Sequence, residues 1–166
     1  MIRVTKGIVV ILAWMAASWM LTARAEELAY VDDFTAVGQA AQAKQVPILV
    51  LFMSPHCPYC ERVLREFLVP MQRNAEYHSK VLMRQVDIDS SARLRDFSGK
   101  MTTQREFARG NRIQVTPTIK LFDARGRELT SPIIGLLTPD FYGGVLDTAI
   151  DGALTKVRAQ PDGTGQ

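Results

Sequence analysis

The stretch Pro47-Ile48-Leu49-Val50-Leu51-Phe52-Met53-Ser54-Pro55-His56-Cys57-Pro58-Tyr59-Cys60 decides how this chain is read. Its first half is a continuous apolar run, the pattern of a strand buried on both faces. After it, Cys57, Cys60, Leu64, Phe67, Leu68 and Met71 follow i, i+3, i+4 spacing. Glu61, Arg62, Arg65 and Glu66 take the other face and can pair at i, i+4. The two cysteines therefore stand where a buried strand hands over to an amphipathic helix. Pro58 suits the first helical turn, where its missing N–H is not needed. Pro70 is expected to end or kink the helix.

That junction has chemical content. Thiol–disulfide exchange needs an accessible thiolate and a second thiol close enough to displace the substrate. The unpaired amide N–H groups and the positive dipole end of a helix start stabilise a thiolate at Cys57. Three residues on, the chain has made almost one turn, and Cys60 comes back beside Cys57. His56 has two readings: a cation that favours the Cys57 thiolate, or a solvent-facing loop residue. Other uses of a Cys-x-x-Cys pair compete. Zinc requires a full ligand set, and besides the cysteines the chain offers only His56 and His78 among soft ligands, His56 adjoining Cys57 too closely for easy tetrahedral geometry. Covalent haem needs a histidine directly after the second cysteine, where Glu61 stands. An inert structural bridge would close a very short loop and gain little.

Outward from this stretch, Phe34, Val37, Ala40 and Ala41 recur at helical spacing within residues 33–45. Residues 81–89 read as a second strand. A polar, Arg-rich stretch follows, with a short helix at 103–109. Residues 118–122 make a third strand, Asp123-Ala124-Arg125-Gly126 a hairpin turn, and 128–134 a returning fourth strand closed by Gly135. Thr138-Pro139 starts a final helix as N-cap and first-turn proline. Its apolar stripe is Phe141, Val145, Leu146, Ala149, Ile150, Ala153, Leu154 and Val157, and Gly143-Gly144 lowers its propensity. Strands alternating with helices predict an α/β fold with a central mixed sheet.

The N-terminal stretch is set aside from the fold. Arg3 and Lys6 precede an apolar run from Gly7 to Leu21, and Ala23-Arg24-Ala25 is a small-x-small cleavage site. This is the layout of a secretory signal peptide over residues 1–25. An uncleaved membrane anchor is the alternative, although a spanning helix needs roughly 20 apolar residues. Arg3, Lys6 and Arg24 account for the whole formal net charge of +3, so the chain from Glu26 onward is neutral, with 17 acidic residues matched by as many basic ones. The charge is no evidence for nucleic-acid binding, and residues 80–112, mildly basic, read as a solvated face. Export to a periplasm permits a disulfide to form and persist. Residues 160–166 lack an apolar anchor and are expected to be a disordered tail, leaving 26–159 as one domain.

A second signal lies at Val115-Thr116-Pro117-Thr118, just ahead of an apolar strand. With the Cys-x-x-Cys pair in a strand–helix–strand–helix–strand context, the chain resembles the thioredoxin superfamily over roughly residues 33–156. The resemblance implies a thioredoxin-like three-layer α/β fold with a central mixed β-sheet flanked by helices. It implies a cis-proline at Pro117 packed against the active-site disulfide, with Thr116 offering backbone hydrogen bonds to substrate. Cys57-Pro58-Tyr59-Cys60 matches the glutaredoxin tetrapeptide, so Pro58 and Tyr59 join His56 as active-site support. The export signal, the segment 135–141 and the longer insert before Pro117 look more like SoxW-type periplasmic thioredoxin-related proteins.

Two departures from the thioredoxin pattern go together. Thioredoxins bury an acid six residues ahead of the first cysteine, where this chain has Leu51. They place a lysine near it on the next strand, where the best match is Gln85. A lone buried charge is costly, so joint loss is consistent, and it puts thioredoxin-style deprotonation of Cys60 in doubt.

The expected activity is thiol–disulfide oxidoreduction, with Cys57 attacking and Cys60 resolving. No metal and no organic cofactor are expected beyond the redox-active Cys57–Cys60 disulfide. The expected partners are exported client proteins with disulfides and a membrane electron donor of the DsbD/CcdA type, for a monomer that binds no nucleic acid. A disulfide-forming oxidase or isomerase of the DsbA/DsbC type and a non-catalytic binding or chaperone module on the same scaffold are the alternatives. DsbA-type oxidases carry a helical insertion, and residues 89–115 are short for one, which favours reduction.

Overall fold

The computed structural model describes residues 28–136 and 138–159. The expected signal peptide and tail lie outside the described residues.

Strand β1 (Ile48–Met53) is buried at every position and forms the centre of the sheet. Its alternation splits the interior in two. Leu49, Leu51 and Met53 enter one apolar cluster, and Ile48, Val50 and Phe52 the other. A parallel partner, β2 (Leu82–Asp87), lies on one side of it, and antiparallel β5 (Thr118–Phe122) on the other. Strand β6 (Ile133–Ile134) extends the sheet to the order β2-β1-β5-β6. A neighbour on each side satisfies the backbone of β1, which is why its residues need no polar character.

Helices cover both faces. Helix α1 (Phe34–Lys44) starts at Asp33, whose carboxylate accepts the Thr35 and Ala36 N–H groups. It packs Phe34 and Val37 with Phe107 of α4 (Gln104–Gly110) against one face. Thr103 and Glu106 close a reciprocal capping box at the start of α4. The other face carries α5 (Pro139–Ala159) and the helical run that follows the cysteines. Gly38 of α1 lies against the β5 turn so closely that a Cβ there would overlap the Ala124 carbonyl oxygen.

The helical run has three parts: α2 (Pro58–Arg62), a π-helical segment (Val63–Leu68) and α3 (Val69–Arg73). Pro70 does not end it. The Val69 N–H reaches back to Leu64 O in the wide register of the π segment. That register opens the backbone just ahead of the ring, and the run closes only at Asn74, whose N–H caps Pro70 and Met71.

Two other expectations are corrected, and one segment gains structure. In the polar, Arg-rich stretch, which carries no strand pattern in the sequence, β3 (Arg93–Arg95) and β4 (Met101–Thr103) pair as an antiparallel hairpin. Leu94 anchors it in the core, and Arg95 pairs with Asp33 at 3.3 Å. The fourth strand expected at 128–134 is interrupted. Glu128 bridges Phe122 and the Leu129 N–H bonds Leu121 O, but regular pairing resumes only at Ile133. Pro132, which has no N–H to give, sits in the gap. In α5 the buried stripe is Tyr142, Leu146, Ile150, Ala153 and Leu154, while Phe141 and Val145 face solvent. Gly144 faces open space, and a Cβ at Gly143 would make only ordinary contact with the Phe67 ring.

Candidate active site

The cysteines occupy the junction expected for them. The turn ahead of α2 is held by the Cys57 N–H donating to Ser54 O at 3.1 Å and by the Ser54 hydroxyl donating to the Asp89 carboxylate at 2.7 Å. Cys57 is then the N-cap of α2, with Pro58 as first helical residue. Its carbonyl accepts the Cys60 and Glu61 N–H groups, and its sulfur accepts the Cys60 N–H at 3.2 Å. Cys57 and Cys60 are joined as a disulfide with their Cα atoms 5.2 Å apart.

The two sulfurs have unlike surroundings. Cys60 is 0% exposed and belongs to the apolar cluster of Leu51, Val63 and Ile119. Cys57 is partly exposed and only borders that cluster. An N–H aimed at Cys57 sulfur stabilises negative charge there, whereas an apolar pocket disfavours charge on Cys60. The chemistry this permits is attack on an incoming disulfide by Cys57, with Cys60 within reach to complete the exchange.

From the other side of the sheet order, β5 delivers its leading loop to the same place. The Thr116–Pro117 peptide bond is cis, and Thr116 O lies 3.6 Å from Cys57 Sγ. The loop is tied twice: Pro117 O accepts the Gly135 N–H at 2.7 Å, and the Thr118 hydroxyl donates to Val115 O at 2.7 Å. Gly135 holds φ of 74°, a conformation that favours glycine. Pro117 is buried and Thr116 partly so. His56, Pro58 and Tyr59 are exposed around Cys57, Tyr59 by 59%.

Leu51 and Gln85 face each other in register across β1 and β2, both buried. Gln85 Nε2 donates to Leu28 O, and its Oε1 has no hydrogen-bond partner among the described residues. The floor of the site thus holds no carboxylate at the Leu51 position. Among the described residues no group of three or more His, Cys, Asp and Glu side chains is placed to hold a metal ion.

The ties from Ser54 to Asp89 and from Gly135 to Pro117 were not foreseen. Each joins segments far apart in the chain, and only Gly135, a glycine ending a strand pattern, left a trace in the sequence.

A disulfide at the head of a helix, a buried strand before it and a proline loop against its outer sulfur define a thiol–disulfide oxidoreductase of the thioredoxin fold. Comparison with known proteins agrees. The family model for the thioredoxin-like domain matches residues 35–150, and the chain belongs to that family. None of the curated proteins compared with it matches. Among solved structures, mitochondrial thioredoxin 3 from Saccharomyces cerevisiae in its oxidized form superposes with a TM-score of 0.50 at 15% identity, over 74% of this chain and 97% of that one. A thioredoxin-fold protein from Helicobacter pylori gives 0.51 at 21% identity, over 76% and 87%. Trxlp from Edwardsiella tarda EIB202 gives 0.50 at 24% identity, over 71% and 95%. At such identities these likenesses speak to the fold. Proteins of the thioredoxin-like kind work through a redox-active disulfide without a further cofactor.

Proposed function

We propose that this protein is exported to the periplasm and reduces disulfides in exported client proteins. The observation that carries the redox assignment is the asymmetry of the pair, an accessible sulfur receiving an N–H and a buried sulfur behind it. In the reduced protein the Cys57 thiolate attacks one sulfur of a client disulfide. A Cys57–client bond forms, the client S–S bond breaks, and the other client sulfur leaves as a thiolate. Cys60, on losing its proton, attacks Cys57 Sγ; the Cys57–Cys60 bond forms and the second client sulfur leaves. The client gains two electrons and, with solvent protons, ends as a dithiol; the protein loses two electrons. A dithiol donor in the membrane, of the DsbD/CcdA type, returns them by the same exchange in reverse.

Reduction is favoured over oxidation by residues 89–115, which hold a hairpin and the seven-residue α4 rather than a helical insertion. Thr116 would offer its backbone to the client chain, Pro117 would pack against the disulfide, and His56 would lend positive charge beside Cys57. The test is the equilibrium reduction potential against glutathione. A value near about −270 mV supports the reductase, and one near about −120 mV reverses the direction. The intact mass of the exported protein tests the location: a product starting at Glu26 is expected, and a full-length membrane-embedded product would defeat it.

A further inference from the structure

A groove of about 500 Å³ opens beside Cys57, and neither Thr116 nor Pro117 lines it. Cys57, Glu61, Arg65, Val69 and Arg73 border it at intervals of four residues, so it tracks one face of the helical run. Leu64 and Met53 add apolar surface, and Tyr30, whose hydroxyl meets Met53 Sδ at 3.5 Å, belongs to the segment beside β2. Charge is graded along it. Near Cys57, Arg65 is paired with Glu61 at 2.9 Å, and Ser54 is bonded to Asp89. Arg73, at the far end of the row, is exposed and has no ion pair among the described residues.

We propose that this groove, resting on the redox reading above, is a docking track that selects client polypeptides carrying an apolar residue and then a carboxylate beside the reactive cysteine. A helical rise of about 1.5 Å per residue places Arg65 roughly 12 Å and Arg73 roughly 24 Å from Cys57. An extended peptide advances about 3.3 Å per residue. An apolar side chain about four residues from the client cysteine therefore meets Leu64 and Val69. A carboxylate about six to eight residues away meets Arg73 at the far end of the groove. The occupant is a polypeptide because a small anionic disulfide held at Cys57 cannot span that distance.

The test is the rate at which the reduced protein reacts with two synthetic disulfide peptides. Each carries leucine four residues from the cysteine, and one has Asp, the other Asn, six residues from it. Rates are compared as the Asp/Asn ratio within each protein, so a general change in reactivity cancels. The wild type is expected to favour the Asp peptide about two- to fivefold, the span of an exposed ion pair. Arg73→Gln should bring the ratio to about one, and Arg73→Glu below it. A wild-type ratio of one, or a ratio unchanged in both variants, overturns the track. Oxidised glutathione is the control: the same dependence on Arg73 there would mean a diffuse field, which also overturns it. Reaction with glutathione but no peptide preference leaves the redox reading standing without the track. A protein inert to both peptides and glutathione brings down the redox reading and the track with it.

Discussion

At the scale of single residues, the difference in exposure between the two sulfurs yields the sharpest expectation. Cys60→Ser should accumulate client proteins as mixed disulfides through Cys57, while Cys57→Ser should trap almost none. Non-reducing gels of cell-envelope extracts decide it, and equal trapping would mean that the roles are misassigned. Leu51 offers a second. A Leu51→Asp carboxyl would be buried beside Gln85 with no cation, so its folded pKa should rise above the unfolded value of about 3.9. Above that value the unfolded state binds fewer protons than the folded one. The mutant should therefore lose stability as pH rises, levelling off past the folded pKa. A packing loss of about 1–3 kcal/mol adds at every pH. Because Leu51 and Gln85 are paired in register, Gln85→Lys should recover part of the charge penalty. Denaturant unfolding of both single mutants and the double mutant from pH 5 to 8 measures this. A double mutant no more stable than Leu51→Asp at pH 8 would separate the two side chains. Tyr142 is a third case: buried, its hydroxyl has no partner among the described residues. Tyr142→Phe should be neutral or stabilising by up to about 1 kcal/mol, and a clear loss would reveal a bonded water.

At the scale of elements, α1 and the turn after β5 meet through Gly38. Gly38→Ala should destabilise by about 1–3 kcal/mol, because the obstacle is a backbone carbonyl and not a movable side chain. A melting temperature equal to that of the wild type would contradict this contact. The elements legible in the sequence were those with a sustained period or a continuous apolar run, such as Ile48–Met53 and Phe34–Lys44. The β3–β4 hairpin escaped notice because Leu94 is its one buried side chain, and one residue has no period. In α5, Phe141 and Val145 share an i, i+4 interval with each other but lie outside the stripe begun by Tyr142, and interval alone cannot say which stripe faces the sheet. At the site, the positions of Cys57, Cys60 and Pro117 were legible because each is a local pattern at the start of an element. The bonds that hold them, Ser54 to Asp89 and Gly135 to Pro117, depend on which strands become neighbours, and that is decided by the sheet order.

For the whole molecule, the titrating groups predict a plateau of stability with two falling edges. Asp33 is held below its ordinary 3.8, first by the Thr35 hydroxyl and then by the α1 amides, and Glu106 below its ordinary 4.5 by the Thr102 hydroxyl and the Thr103 N–H. The folded protein thus binds fewer protons at these sites. Their contribution is complete above those values and is lost as pH falls through the folded ones. Tyr77 is pushed up to about 12 by its bond to Asp147, and Tyr142 to about 12 by burial. Their contribution is complete below about pH 10 and is lost as pH climbs to about 12. Denaturant midpoints across the pH range should fall at both ends, and Tyr77→Phe should blunt the alkaline edge; an edge of unchanged steepness would assign it elsewhere. The fully enclosed position of Cys60 has one more consequence, for timing. On the proposed mechanism, a client tethered to Cys57 would be released by a sulfur that is fully buried in the disulfide state. The dwell time of such a complex would then depend on how readily that core atom gives up its proton to attack the Cys57 sulfur beside it. Clients whose departing thiols are of similar acidity should leave on nearly the same schedule, each arriving at its own rate and departing by a shared clock.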